Sequence, residues 1–107
     1  MLRRVPERTS EERLSALEKA NRVRFARAAA KRDLKEGRIS IYDLLMDPPP
    51  ELRGAKVEEM LLAMRGVGKV KVNRIFRESG ISRSKTLVGL TYGQRDRLIK
   101  VLGCAED

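Results

Sequence analysis

The sequence contains no histidine, which removes the commonest general base and metal ligand at the outset. Its single cysteine, Cys104, excludes an internal disulfide and suits a reducing cytoplasm. No apolar run approaches the ~20 residues of a membrane span. No apolar stretch follows Met1-Leu2-Arg3-Arg4 either, so neither a membrane anchor nor a signal peptide is expected. Gly68-Lys69 is followed by Val70, and position 63 is Ala, so the nucleotide-binding P-loop pattern fails twice. Ser82-Arg83-Ser84-Lys85 matches Ser-x-x-Lys by letter, without the motifs that accompany it in enzymes. The expectation is a protein that is not an enzyme, with no cofactor and no metal site. With two Phe, two Tyr and no Trp, little is available for stacking on unpaired bases.

What the chain has is positive charge. Lys and Arg number 24 against 15 Asp and Glu, for a net charge of +9. The pI of about 10.3 lies above the level of roughly 9 that marks nucleic-acid-binding domains. Such a balance also suits an acidic membrane or a highly soluble scaffold, so the placement of the cations has to decide. At 107 residues there is room for one core.

Residues 1–9 read as a flexible tail, and 10–107 as a single helical domain. Thr9-Ser10-Glu11-Glu12 is a capping box, and a helix is predicted from Ser10 to Glu36 with Gly37 as its stop. Its apolar side is thin: Val23, Ala26, Ala30 and Leu34 align at helical spacing. Between residues 19 and 35 stand seven cations against Asp33 alone. This is either a solvated Ala/Arg helix or an arm lying along a phosphate backbone, and the scarcity of acids favours the arm. Its candidate contacts are Arg22, Arg24, Arg27, Lys31 and Arg32. Ser40 with Asp43 opens a short helix to about Met46, which Pro48-Pro49-Pro50 ends. Glu51 to Gly54 reads as a turn. From Lys56 to Arg65, Val57, Met60, Leu61 and Met64 share one face of a helix. A further helix runs from Lys69 to Ser79 with Val72, Ile75 and Phe76 inward, and Gly80 stops it. Thr91-Tyr92-Gly93-Gln94 caps a last helix, with Leu98, Val101 and Leu102 inward and Gly103 as its end. No segment alternates at period two over a useful length, so the fold class is all-α.

The segment Arg65-Gly66-Val67-Gly68-Lys69-Val70-Lys71 joins two of these helices. Two glycines one residue apart permit a tight turn and close approach of a partner to the backbone. The following helix begins with unpaired N–H groups and a positive dipole end, to which Lys69 adds a full charge. Such a helix start is a phosphate-binding device. A glycine corner is also a common joint between helices, but seven cations and only Glu78 between Arg65 and Lys85 favour phosphate. Candidate contacts are Arg65, Gly66, Gly68, Lys69, Lys71, Arg74, Arg83 and Lys85. Duplex backbone is the favoured ligand, with low sequence specificity, since no helix concentrates base-reading side chains. Arm and turn are expected to form two separated surfaces, which would bend one duplex or bridge two.

Glu12-Arg13, Leu17-Glu18-Lys19-Ala20, the basic Ala/Arg helix, Leu34-Lys35, Lys56-Val57 and Leu61-Leu62 together resemble the actinobacterial integration host factor family. So do Gly66-Val67-Gly68-Lys69-Val70-Lys71, Gly89-Leu90, Gln94-Arg95 and Gly103, in the same order over about residues 10–103. The resemblance implies an all-α, helix-two-turn-helix, nucleoid-associated protein, with residues 10–36 as a basic arm and 56–103 as the core. It further implies binding and bending of double-stranded DNA with little sequence preference, and assistance in phage integration with an integrase as partner. A monomer, or weak self-association, in the cytoplasm and nucleoid is expected.

The resemblance breaks before Gly89. The family carries Arg-Arg-x-Arg there, implicated in DNA binding, where this chain has Lys85, Thr86, Leu87 and Val88. Two lost phosphate contacts weaken affinity and flatten its salt dependence. The triple proline is a second departure. Two other classes stay open: an RNA-binding component resembling a protein of the ribosomal small-subunit head, and a helical protein-interaction adaptor. The former carries a long basic C-terminal tail, whereas this chain ends Cys104-Ala105-Glu106-Asp107.

Overall fold

The computed structural model describes residues 10–106, with side chains to Gly103. The predicted tail and the Thr9 cap lie outside the described residues. Helix α1 spans Ser10–Glu36, α2 Ile41–Met46, α3 Val57–Ala63, α4 Lys69–Ser79 and α5 Tyr92–Glu106, with a 3-10 turn at Pro50–Leu52. The fold is all-α, and the described residues contain no strand.

At 1.5 Å per residue α1 is about 40 Å long, and of its 27 residues only Ala30 and Leu34 are buried. Ala26 packs against the core edge, whereas Leu14 and Leu17 are exposed. The front half of α1 therefore extends past the core, consistent with overall dimensions of 65 × 27 × 23 Å. Its other half packs on α3 and on the 3-10 turn. A Schellman motif ends it: Arg38 N–H donates to Asp33 O at 2.8 Å and Gly37 N–H to Leu34 O at 3.3 Å, with Gly37 at φ +79°.

Ser40 caps α2, its Oγ accepting from Tyr42 N–H at 3.1 Å. Helix α3 is shorter than the sequence predicts. Met64 leaves the helix in an extended conformation, so Met64 and Arg65 belong to the following turn. Met60 and Leu61 of α3, Val72, Ile75 and Phe76 of α4, and Leu98 and Leu102 of α5 form the buried centre. The 81–90 connection is stitched to the loop before α3. Val57 N–H donates to Lys85 O at 3.0 Å, and Leu87 N–H donates to Ala55 O at 2.9 Å. This single antiparallel bridge, between Lys56 and Thr86, buries Leu87 completely.

The Thr91–Gln94 box that opens α5 is reciprocal: Gln94 N–H donates to Thr91 Oγ1 at 3.1 Å, and Thr91 N–H to Gln94 Oε1 at 3.0 Å. The helix does not stop at Gly103 but continues to Glu106. Glycine inside a helix costs only about 1 kcal/mol relative to alanine, and no proline follows to block continuation.

Candidate nucleic-acid interface

The two glycines between α3 and α4 do different work. Val67 N–H donates to Met64 O at 3.2 Å, closing a four-residue turn in which Gly66 adopts φ +78°. Positive φ at the third position is the signature of a type II turn and the reason glycine stands there. Gly68 is extended, at φ −103° and ψ −175°, and a Cβ on it would meet nothing within 4 Å. Its place is at the cap of α4, where no side chain bonds the first N–H groups. The uncapped start of an 11-residue helix thus faces outward beside exposed Lys69 and beside Val70, itself 83% exposed.

The arm and this turn are not separated surfaces, contrary to the sequence expectation. An open groove of about 940 Å³ is lined by Lys31, Arg32, Lys35 and Glu36 of α1 and, across from them, by Leu62 to Gly66. Further hollows adjoin it on either side. Lys31 is shared with the one bordered by Arg24 and Arg27, and Leu62 with the one holding Lys69 and Arg83. Lys69 in turn is shared with the last, at Gly68, Lys71 and Arg74. Through these shared residues the hollows neighbour one another and make up a mainly basic trough from Ala20 to Arg74, with Glu36, Glu58 and Glu59 also in its lining.

Not every predicted contact is placed in it or free within it. Arg22 lies about 160° around α1 from Arg24 at 100° per residue and borders none of these hollows. Arg27 is half-buried against the loop at Gly54, where a Cβ would come 3.3 Å from its Nη2. Lys31 is ion-paired with Glu59 of α3 at 2.5 Å. Arg74 pairs loosely with Glu78 at 3.7 Å. Arg83 is held on three sides: its Nη1 donates to Glu58 Oε2 at 2.9 Å, its Nη2 donates to Asn73 Oδ1, and it lies 5.4 Å over the Phe76 ring. Lys85 donates to Gly89 O at 3.3 Å and is half-buried. At the family's last arginine position Val88 presents an apolar, 55% exposed side chain.

Sequence reasoning missed Lys35 as a site residue, although its spacing of four from Lys31 signals a shared helix face. It also missed Glu58 and Glu59, neighbours on α3 that each neutralise one cation of the basic surface. No pattern in the chain announces those pairings.

The architecture defines a helix-two-turn-helix module, and the S13-like H2TH domain family matches residues 34–102. Integration host factor of Mycobacterium tuberculosis is 39% identical over 103 residues, which are 94% of this chain and 98% of that protein. Integration host factor of Streptomyces coelicolor is 34% identical over 92% of this chain and 94% of its own length. A solved structure of sIHF bound to an 8 bp palindromic DNA superposes with a TM-score of 0.71 at 32% identity, over 78% of this chain and 96% of that one. The chain belongs to the integration host factor family of actinobacteria.

Proposed function

We propose that this protein is a nucleoid-associated binder of double-stranded DNA, and that the trough from the arm to the start of α4 is its binding surface. The observation that carries the reading is the shared groove that sets arm cations Lys31, Arg32 and Lys35 beside Arg65 and Gly66, next to an uncapped helix start. Lysine and arginine charges with backbone N–H donors suit phosphate oxygens, which position a duplex without reading it. The three side-chain amides best suited to adenine are engaged within the protein. Asn21 accepts from Arg24, Asn73 accepts from Arg83, and Gln94 caps α5. Sequence preference is therefore low. The DNA in the sIHF structure and the name integration host factor of the relatives support the same assignment.

The basic hollows border α1 from Ala20 to Glu36 and also the segment from Arg65 to Arg74, so a duplex that meets both is contacted from more than one element. Bending costs on the order of 1–6 kcal/mol, which added charge contacts offset. We infer that the protein bends DNA and serves DNA architecture and phage integration, a reading in keeping with the name integration host factor that its relatives carry. Titration of labelled duplex, single strands and structured RNA at several salt concentrations tests the reading. With roughly five phosphate contacts, log affinity for duplex falls against log salt with a slope near −4 to −5. Salt-insensitive binding, or preference for structured RNA, overturns it.

A further inference from the structure

The basic trough leaves one side of α1 unexplained. At 100° per residue Leu14, Leu17, Asn21, Phe25 and Ala28 fall within about 80° of one another, on the side of α1 opposite buried Ala30 and Leu34. Leu14 is 61% exposed, Leu17 60% and Phe25 70%, and none of the three borders the basic hollows. Apolar side chains do not serve phosphate, and leaving them in water is costly. The spacing of the stripe is symmetric. Leu17 and Phe25 stand four residues either side of Asn21, and Leu14 and Ala28 seven. Its two edges differ in charge: Arg24 and Lys31 follow the edge next to the trough, whereas Glu18 and Arg22 lie along the other. Neither Glu18 nor Arg22 forms an ion pair among the described residues.

We propose that this stripe pairs with the same stripe of a second copy of this chain, the two arms lying antiparallel about a two-fold axis at Asn21. Such an isologous contact sets the residues against one another in reverse order. Leu17 then meets Phe25 of the second copy, Leu14 meets Ala28, and Asn21 meets its own counterpart. A lone amide in an apolar seam fixes the register, as it does in coiled coils. Asn21 Oδ1 accepts from Arg24 within the chain, which leaves its NH2 group to donate to the other amide. The two-fold axis keeps each edge of the stripe beside its counterpart. Glu18 thus comes within ~3 Å, along the axis, of the level of Arg22 in the second copy, and two ion pairs form on that edge. On the opposite edge the two troughs open to the same side of the pair and face one polyanion together. Three large side chains per copy are too few for a permanent dimer, and free molecules of net charge +9 repel one another. Phosphate neutralises the cationic edge and holds copies at high local concentration, so the pair forms on DNA. The contact itself stands on α1 alone, and only its dependence on DNA rests on the DNA-binding reading.

Cysteine cross-linking in a Cys104→Ser background tests the register on a duplex that holds two molecules, and again without DNA in about 1 M salt, where the repulsion is screened. Asn21→Cys is expected to form a disulfide dimer, and Leu17→Cys mixed with Phe25→Cys to cross-link about five-fold more than either variant alone. Lys19→Cys, on the far side of α1, should stay monomeric. Glu18→Arg should lower the dimer fraction seen by sedimentation about ten-fold, and adding Arg22→Glu should recover most of it. Phe25→Ser should change affinity for a duplex that holds one molecule by less than about two-fold. Equal cross-linking by Lys19→Cys, Leu17→Cys cross-linking only to itself, or no Asn21→Cys dimer in either condition overturns the pairing. A loss of short-duplex affinity in Phe25→Ser overturns it too, since DNA rather than a second copy then covers the stripe. Wild type that binds no duplex, while the cysteine variants cross-link as expected in high salt, overturns the DNA reading and upholds the pairing.

Discussion

The carboxylate of Glu59 lies 2.5 Å from the ammonium of Lys31, tying α3 to the arm inside the basic trough. The pair is about 34% and 41% exposed, so its own contribution to stability is small. Its effect on a polyanion is larger, because Glu59 occupies a cation and adds a like charge where phosphate would lie. Glu59→Gln is expected to tighten duplex binding about two- to five-fold at low salt, an effect that fades as salt screens it. Fluorescence anisotropy at two ionic strengths measures this. Weaker binding by the variant would show that the pair holds the arm in place rather than competing with DNA.

Lys69 stands exposed at the uncapped start of α4 and forms no ion pair among the described residues. Lys69→Ala is expected to weaken binding alike on unrelated sequences and to reduce the salt slope by about one, with thermal stability unchanged. Equal binding by variant and wild type would leave the turn as a structural joint.

The two glycines separate fold from site. Gly66→Ala forces a side chain to φ +78° and is expected to cost about 1 kcal/mol or more. In a domain of this size that lowers Tm by roughly 4–8 °C. Gly68→Ala meets open space, so its Tm should stay near wild type while DNA affinity falls, because a methyl group now stands where backbone approaches phosphate. Thermal melts paired with DNA titrations distinguish them.

Arg83, held by Glu58, Asn73 and Phe76, is expected to behave unlike Lys69. Arg83→Ala should lower Tm and reduce affinity while leaving the salt slope unchanged, since a guanidinium already neutralised releases few counterions. A slope reduced by one would instead return Arg83 to the phosphate contacts that its position in the sequence suggests.

Much of the fold was legible because its boundaries are local. The bounds of α4 follow from Gly68 and Gly80, and the start of α5 from two residues that cap each other. The errors came where a local signal was overruled. Gly103 resembles a helix stop but is tolerated within α5, and Met64 fits the apolar stripe of α3 yet turns out of it to form the glycine corner. The residues of the site were visible as charge, but their arrangement was not. Lys31 and Arg65 meet across one groove from distant parts of the chain, and Glu58 and Glu59 pair with partners on different elements. Only the packing of α1 on α3 brings these together, and helical periodicity gives the face of each helix but not its neighbour.

From Ser10 to Arg22 no residue of α1 is buried. A helix of about that length without tertiary support is marginal in water. Its backbone amides should therefore exchange with solvent far faster than those of α4, and a duplex lying along it should slow them. Recognition would then carry a thermal signature: part of the arm's winding is completed on contact, so the enthalpy of binding becomes more favourable, and the entropy less so, than a preformed surface would give.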